Sequence, residues 1–159
     1  FLMRVGHADI DIEARIADGP MPARFDRRLI SQALTNIIKN AAEAIAALPE
    51  GAEKGRIEVS AERVGHEIVI DVVDNGIGLP KDNRSRLLEP YVTTRDKGTG
   101  LGLAIVGKIL EDHGGGIELH DAGEKTPGHR GAWVRMRIAA EPAAASESKP
   151  ERTNQTVGH

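Results

Sequence analysis

Glycine clusters bracket the stretch from Asp74 to Leu103, DNGIGLPKDNRSRLLEPYVTTRDKGTGLGL, and limit what can be built around it. It opens with Asp74-Asn75-Gly76-Ile77-Gly78 and closes with Gly98, Gly100 and Gly102 at alternate positions. A strand pattern precedes it and a helix pattern comes after it. Glycine at both junctions means that backbone comes close to something there. Three glycines before a helix N-terminus leave amides exposed where an anion such as phosphate is favoured. Arg95 and Lys97 stand just before them. Asp-Asn-Gly taken alone reads as a hairpin turn, but a long polar segment separates it from the next periodic run. The stretch from Leu79 to Thr99 therefore reads as a mobile lid over a nucleotide. Its apolar anchors are mainly Leu87, Leu88, Tyr91 and Val92.

The rest of the chain supplies a scaffold. Ile10, Ile12, Ala14 and Ile16 alternate with charged residues, as in a half-buried strand. Asp18-Gly19-Pro20 turns the chain, and Asp26 is a good N-cap for a helix. Ile30, Leu34, Ile37, Ile38, Ala41, Ile45 and Leu48 then recur at helical spacing until Pro49 and Gly51. Asn36 and Asn40 share one face of this helix, although asparagine is a poor helix former. Ile57, Val59 and Ala61 alternate as a second strand. Ile68, Val69, Ile70, Val72 and Val73 are apolar on both phases, which predicts a central strand. After the lid come a helix stopped by Gly114-Gly115-Gly116, a short strand at Ile117 and Leu119, a polar loop over 121–131, and a last strand from Ala132 to Ile138. The last strand turns Trp133 and Arg135 to an exposed face. This order predicts an α+β fold, a two-layer sandwich of about five strands in a mixed sheet with helices on one face.

Composition excludes several classes. Formal charge is −3, which gives no bulk basicity for nucleic acid. Without cysteine there is neither a disulfide framework nor a thiolate zinc site. No apolar run approaches the ~20 residues of a membrane span. The six histidines show no metal spacing and read as surface residues. Gly102-x-x-x-x-Gly107-Lys108 approaches a P-loop, but Ile109 replaces the required Ser/Thr and the match lies inside a helix. The opening Phe1-Leu2-Met3-Arg4 reads as a cut end, so the expectation is a monomeric fragment of a longer protein.

Three motifs then line up: Asn36-Ile-Ile-Lys-Asn40-Ala-Ala-Glu, Asp74-Asn-Gly-Ile-Gly78 and Gly98-Thr-Gly-Leu-Gly102. In this order the set resembles the ATP-binding catalytic domain of sensor histidine kinases, within the gyrase, Hsp90, histidine kinase and MutL superfamily (the Bergerat ATP-binding fold). EPYVTTRDKGTGLGLAIV with NIIKNAAEAI is most similar to nitrogen-regulation sensor kinases, and the opening FLMRVGHADIDIE to their NtrY-like branch. The resemblance implies ATP and Mg²⁺ as cofactors. It implies a domain at 9–139, the end of a linker from a histidine-hairpin domain at 1–8, and a flexible tail at 140–159. It gives Asn40 the role of magnesium ligand and Asp74 that of acceptor for the adenine amino group. Gly76 and Gly78 would leave room for the purine. Gly98, Gly100 and Gly102, with Thr99 and Leu101 between them, would aim amides at the phosphates. Asn36, Lys39, Glu43, Thr93, Thr94, Arg95 and Lys97 complete the implied nucleotide-contacting set. Implied partners are the dimerisation and phosphoacceptor histidine domain of the same parent and, through it, a response regulator. The domain would lie in the cytoplasm, with the parent anchored in the inner membrane.

The chain also departs from the family pattern. Tyr91 stands where a phenylalanine lid anchor is usual. Glu43 stands where many relatives carry lysine, and Lys39 compensates for it only by turning inward. No histidine lies on a helix hairpin, so the phosphoacceptor is missing. Gyrase-type and chaperone-type relatives carry a glutamate base four residues before the magnesium asparagine. Asn36 holds that position here, which favours a kinase over an ATPase. A nucleotide-sensing module without phosphotransfer stays open because of Glu43.

Overall fold

A computed structural model describes residues 10–17, 26–82, 84–89 and 102–140 of the chain. Strand β1 (Ile10–Ile16) precedes helix α1 (Arg27–Ala46); β2 (Gly55–Val64) and β3 (Glu67–Asp74) form a hairpin. Next come a short 3₁₀ helix (Arg84–Leu88), α2 (Gly102–Asp112), β4 (Gly116–Asp121), a one-turn helix α3 (Ala122–Lys125) and β5 (Ala132–Ala139). The five strands make one mixed sheet in the order β1-β2-β3-β5-β4. β1 runs parallel to β2, and the other neighbours are antiparallel. The predicted element order and two-layer class are thus found, with β3 at the centre of the sheet. The polar loop expected over 121–131 contains α3. Glu124 there accepts from the Asp121 backbone N–H at 2.7 Å in a capping box.

Strand alternation gives the sheet two unlike faces. On one, Ile57, Val72, Val134, Met136 and Ile138 meet α1 and α2. α1 contributes Ile30, Ala33, Ile37, Ile38, Ala41, Ala42 and Ile45 to this core, and α2 contributes Val106, Ile109 and Leu110. Ile37, Ile57, Leu110 and Met136 are fully buried, each stabilising by about 1.5–3 kcal/mol relative to exposure. On the open face, β3 and β5 pair Asp71 with Arg135 and Val69 with Arg137. The alternation of β1 holds at Ile10, which is buried, but Ile16 is 70% exposed. β1 is an edge strand, and its far end runs beyond the helix layer.

Asp26 caps α1: its Oδ1 accepts from Arg28 N at 2.9 Å and Leu29 N at 3.3 Å. Its own backbone N–H donates to His113 Nε2 at 3.0 Å, while His113 Nδ1 lies 2.7 Å from the Ile109 carbonyl. That pair of bonds requires a neutral ring protonated on Nδ1. His113 therefore ties the start of α1 to the end of α2 and is not the simple surface residue expected.

Candidate nucleotide site

β3 ends at Asp74 because the next residues leave the sheet for α1. Asn75 keeps the β2 side of this exit in place: its Oδ1 accepts from Arg56 N at 2.7 Å and its Nδ2 donates to the Lys54 carbonyl at 2.9 Å. The loop then presses on α1, where Ile77 N donates to the Ala44 carbonyl at 3.1 Å. A Cβ on Gly76 would lie 2.5 Å from the Ala44 carbonyl carbon, a distance that real side chains do not tolerate. The missing side chain of Gly76 gives room to the backbone of α1. Gly78 has φ +83°, a left-handed conformation that favours glycine.

Asp74 is 5% exposed and lies on the helix-covered face. Its Oδ1 accepts from Gly76 N at 2.8 Å and from Ala132 N at 3.2 Å. Two backbone donors on one oxygen fix the rotation of the carboxyl group, and so the direction of the other oxygen. Gly131 closes the arrangement. Its φ is +113°, and a Cβ there would lie 2.0 Å from the Asp74 carbonyl oxygen and 2.8 Å from Oδ1. Gly131 and Ala132 belong to none of the three sequence motifs; the usable signal is a glycine directly before the last strand.

Along α1, Asn36, Asn40 and Glu43 form one half-buried row, while Lys39 is exposed beside it. Lys39 therefore does not turn inward. The loop carrying Asp74 meets α1 at Ala44, so this row leads from the Asp74 end toward the helix N-terminus. Beyond Asn36 it continues into a groove of about 460 Å³ lined by Arg28, Leu29, Ser31, Gln32, Thr35 and Asn36. Asn40 offers one neutral amide oxygen. Among the described residues, no group of three or more His, Cys, Asp or Glu is placed to hold a metal ion. A magnesium ion at Asn40 would take its other ligands from phosphates and water, as this ion commonly does.

The far part of the predicted site falls outside the described residues: Tyr91, Thr93, Thr94, Arg95, Lys97, Gly98, Thr99, Gly100 and Leu101. Gly102 is the first residue of α2. The near part of the lid is anchored. Leu87 is buried and its 3₁₀ helix packs on α2. Arg84 donates through Nε to the Pro80 carbonyl at 2.8 Å and pairs with Asp121.

On the opposite face of β3, Asp71 is 3% exposed. Its Oδ1 accepts from Trp133 Nε1 at 2.9 Å and Arg135 Nε at 2.8 Å; its Oδ2 accepts from Arg135 Nη2 at 3.1 Å and Lys125 Nζ at 3.2 Å. Burial by itself raises the Asp71 pKa. The hydrogen bonds from Arg135 and Trp133 and the nearby Lys125 charge outweigh it and hold the carboxyl below its ordinary value. In return, the hydrogen bond from Arg135 to Asp71 raises the guanidinium pKa. Trp133 also lies 4.6 Å from the His120 ring, with Arg135 4.9 Å over it. Trp133 and Arg135 are on the open face as expected, but only partly exposed.

Comparison with known proteins finds relatives that share the fold. Residues 25–142 match the family model of histidine kinase-, DNA gyrase B- and HSP90-like ATPases. The nitrogen regulation protein NtrY of Azorhizobium caulinodans is 65% identical over 142 residues, covering 89% of this chain and 18% of that protein. Sporulation kinase B of Bacillus subtilis is 37% identical over 116 residues, covering 73% of this chain and 25% of that protein. The chain thus spans a quarter or less of these relatives. Among solved structures, the nucleotide-free catalytic domain of histidine kinase ThkA superposes with TM-score 0.68 at 30% identity, covering 84% of this chain and 82% of that one. The mycobacterial sensor histidine kinase MprB gives 0.67 at 26% identity, covering 84% and 83%.

Proposed function

Because the chain belongs to the family of histidine kinase-, DNA gyrase B- and HSP90-like ATPases, as an ATP-binding catalytic domain of the sensor histidine kinase type, we propose that it binds Mg-ATP and transfers the γ-phosphate to a histidine of a dimerisation domain in the same parent. The observation that carries this reading is the orientation of Asp74. A buried carboxyl, turned by Gly76 N and Ala132 N, stands at one end of the α1 row and suits the adenine amino group. Asn40 and Asn36 come next along the helix, where phosphates would lie. Asn40 would hold the magnesium ion, which neutralises phosphate charge when bound. Thr93, Thr94, Arg95, Lys97 and the Gly98 to Gly102 segment complete the proposed phosphate contacts.

Phosphoryl transfer asks mainly for positioning and charge stabilisation. An ATPase also needs a general base within reach of the attacking water. Asn36 cannot take a proton. Glu43 lies three residues beyond Asn40, toward Ala44 and the adenine end. A neutral imidazole acceptor is itself a nucleophile and needs placement more than a strong base. The groove beyond Asn36 offers a route for it. The parent is proposed to be an inner-membrane sensor with this domain on the cytoplasmic side and a response regulator downstream. Among the described residues, no helix is long and apolar enough to cross a membrane.

The test mixes the chain with the dimeric histidine-hairpin domain of its parent and labelled ATP. Acid-labile, base-stable label on the hairpin supports the reading. Rapid steady hydrolysis by the chain alone, unaffected by the hairpin, would favour an ATPase. Tight binding with neither outcome would leave a nucleotide sensor.

A further inference from the structure

Asp71 is buried, charged and unused by the proposed reaction, yet it lies only three residues before Asp74 on the same strand. We infer that Asp71 is a positioning residue for Asp74: through Trp133 it fixes the first residues of β5, and so holds the Ala132 N–H on the Asp74 carboxyl.

Adjacent atoms of one short segment make the link. β5 emerges from a glycine-containing loop in which Gly128 has φ +86° and Gly131 φ +113°. Glycine adds no side-chain restraint there; the loop end is held by Ala122 N on the Gly131 carbonyl at 2.9 Å and by the pairing of Ala132 with Asp121. The register pairs Trp133 with Val73 and Arg135 with Asp71. The Trp133 indole reaches one step along the strand to Asp71 Oδ1 at 2.9 Å, where Arg135 Nε arrives at 2.8 Å. Cross-strand His120 packs against the same ring. The side chain of Trp133 is therefore pinned on the open face. One peptide earlier, on the other face, Ala132 N donates to Asp74 Oδ1 at 3.2 Å. One residue before that, Gly131 lies against the Asp74 carbonyl. Two consecutive residues, Ala132 and Trp133, thus bind the two carboxylates from opposite sides of the sheet. Ala132 keeps its ladder to Asp121, so releasing Trp133 removes one of its restraints and loosens one of the amides that turn the Asp74 carboxyl.

The proposal rests on the reading of Asp74 as the adenine acceptor, so the test has one arm that needs no nucleotide. Amide exchange at Ala132 is followed by NMR in the native chain, Asp71→Asn and Trp133→Phe. Both variants should exchange Ala132 N–H about tenfold faster, the scale of one modest hydrogen bond, with Val134 and Met136 far less affected. Trp133→Phe keeps a packed ring and serves if Asp71→Asn folds poorly. The second arm compares affinity for ATP with that for inosine triphosphate, which lacks the amino group. Both variants should weaken ATP about tenfold and inosine triphosphate little, again on the scale of one hydrogen bond. Neither should reduce the preference further in an Asp74→Asn background. Unchanged Ala132 exchange overturns the proposal, as does equal loss for both nucleotides or an additive effect in the Asp74→Asn background. If the native chain shows no preference for ATP, the adenine role of Asp74 fails, and Ala132 exchange still decides whether Asp71 positions it.

Discussion

Asp71 and Asp74 lie three residues apart on β3, and both are almost fully buried, at 3% and 5% exposure. Their surroundings differ in kind. Asp71 faces the open side of the sheet and is met by side chains, two of them cationic. Asp74 faces the helices and takes backbone amides from Gly76 and Ala132 on one oxygen. Cations answer a charge; amides on one oxygen orient a group. Burial alone does not distinguish a structural carboxylate from a ligand-binding one. The identity and direction of the donors does.

The largest expected effect comes from breaking the first set. Asp71→Ala leaves Arg135 without its bidentate acceptor, and removing one partner of a buried pair typically costs about 3–5 kcal/mol. Arg135 and Lys125 side chains are 30% and 39% exposed, so water recovers part of their solvation and a loss of about 3 kcal/mol is expected. Urea unfolding measures it; a loss below about 1 kcal/mol would show a solvated surface pair. The sign of the pH dependence is set by the same contacts. The folded pKa of Asp71 lies below the ordinary carboxylate value, so its stabilisation is complete above the unfolded value. It is lost as pH falls through the lower folded value. The native chain should lose stability in that acid range more steeply than Asp71→Ala.

Breaking the second set should cost some stability without ligand, because Gly76 N and Ala132 N lose their acceptor, and should be decisive with it. Nucleotide at 100 times its dissociation constant stabilises by about 2.7 kcal/mol. Asp74→Ala should lose that increment, whereas Asn40→Ala should lose chiefly its magnesium dependence. Melting curves with ATP, with and without magnesium, make the measurement. A full ATP shift in Asp74→Ala would remove Asp74 from the adenine role.

The glycine beside Asp74 extends the contrast. Gly76→Ala would put a methyl group 2.5 Å from α1 backbone at Ala44, and overpacking of this kind costs about 1–3 kcal/mol. The expected result is lower stability with or without nucleotide. A loss of ATP affinity at unchanged stability would show instead that Gly76 makes room for the ligand.

These residues also show what can be read from the chain itself. Helical spacing from Ile30 to Ile45 and strand alternation around Ile57 and Met136 set the layers, because a periodic apolar pattern has few ways to be buried. Asp74 and the Asn36–Asn40 row are visible because their spacing is local. The role of Asp71 is not. A single acid in Ile68 to Val73 looks like an interruption of an apolar strand, and its partners Lys125, Trp133 and Arg135 are more than fifty residues away in sequence. Gly131 and Ala132 escape notice for the same reason: a backbone N–H carries no sequence signature. The motif marks Gly76 as necessary, but the neighbour that requires it is α1, which only the tertiary contact reveals.

The smallest effect belongs to a third carboxylate, Asp26, which separates orientation from burial. Like Asp74 it receives two backbone amides on one oxygen, from Arg28 and Leu29, but it is exposed. Its work is helix capping, and replacing such a cap by alanine typically costs about 1 kcal/mol. The contact to His113 uses the Asp26 backbone N–H, which Asp26→Ala retains. The tie between α1 and α2 should therefore survive, limiting the loss to the cap. Asn36 lies ten residues further along α1, about 15 Å at 1.5 Å per residue, so ATP affinity should not change. Thermal unfolding with and without ATP tests both halves. A loss well above about 1 kcal/mol would mean that the α1–α2 tie depends on the Asp26 side chain. A change in ATP affinity would mean that the start of α1 and the nucleotide site move together.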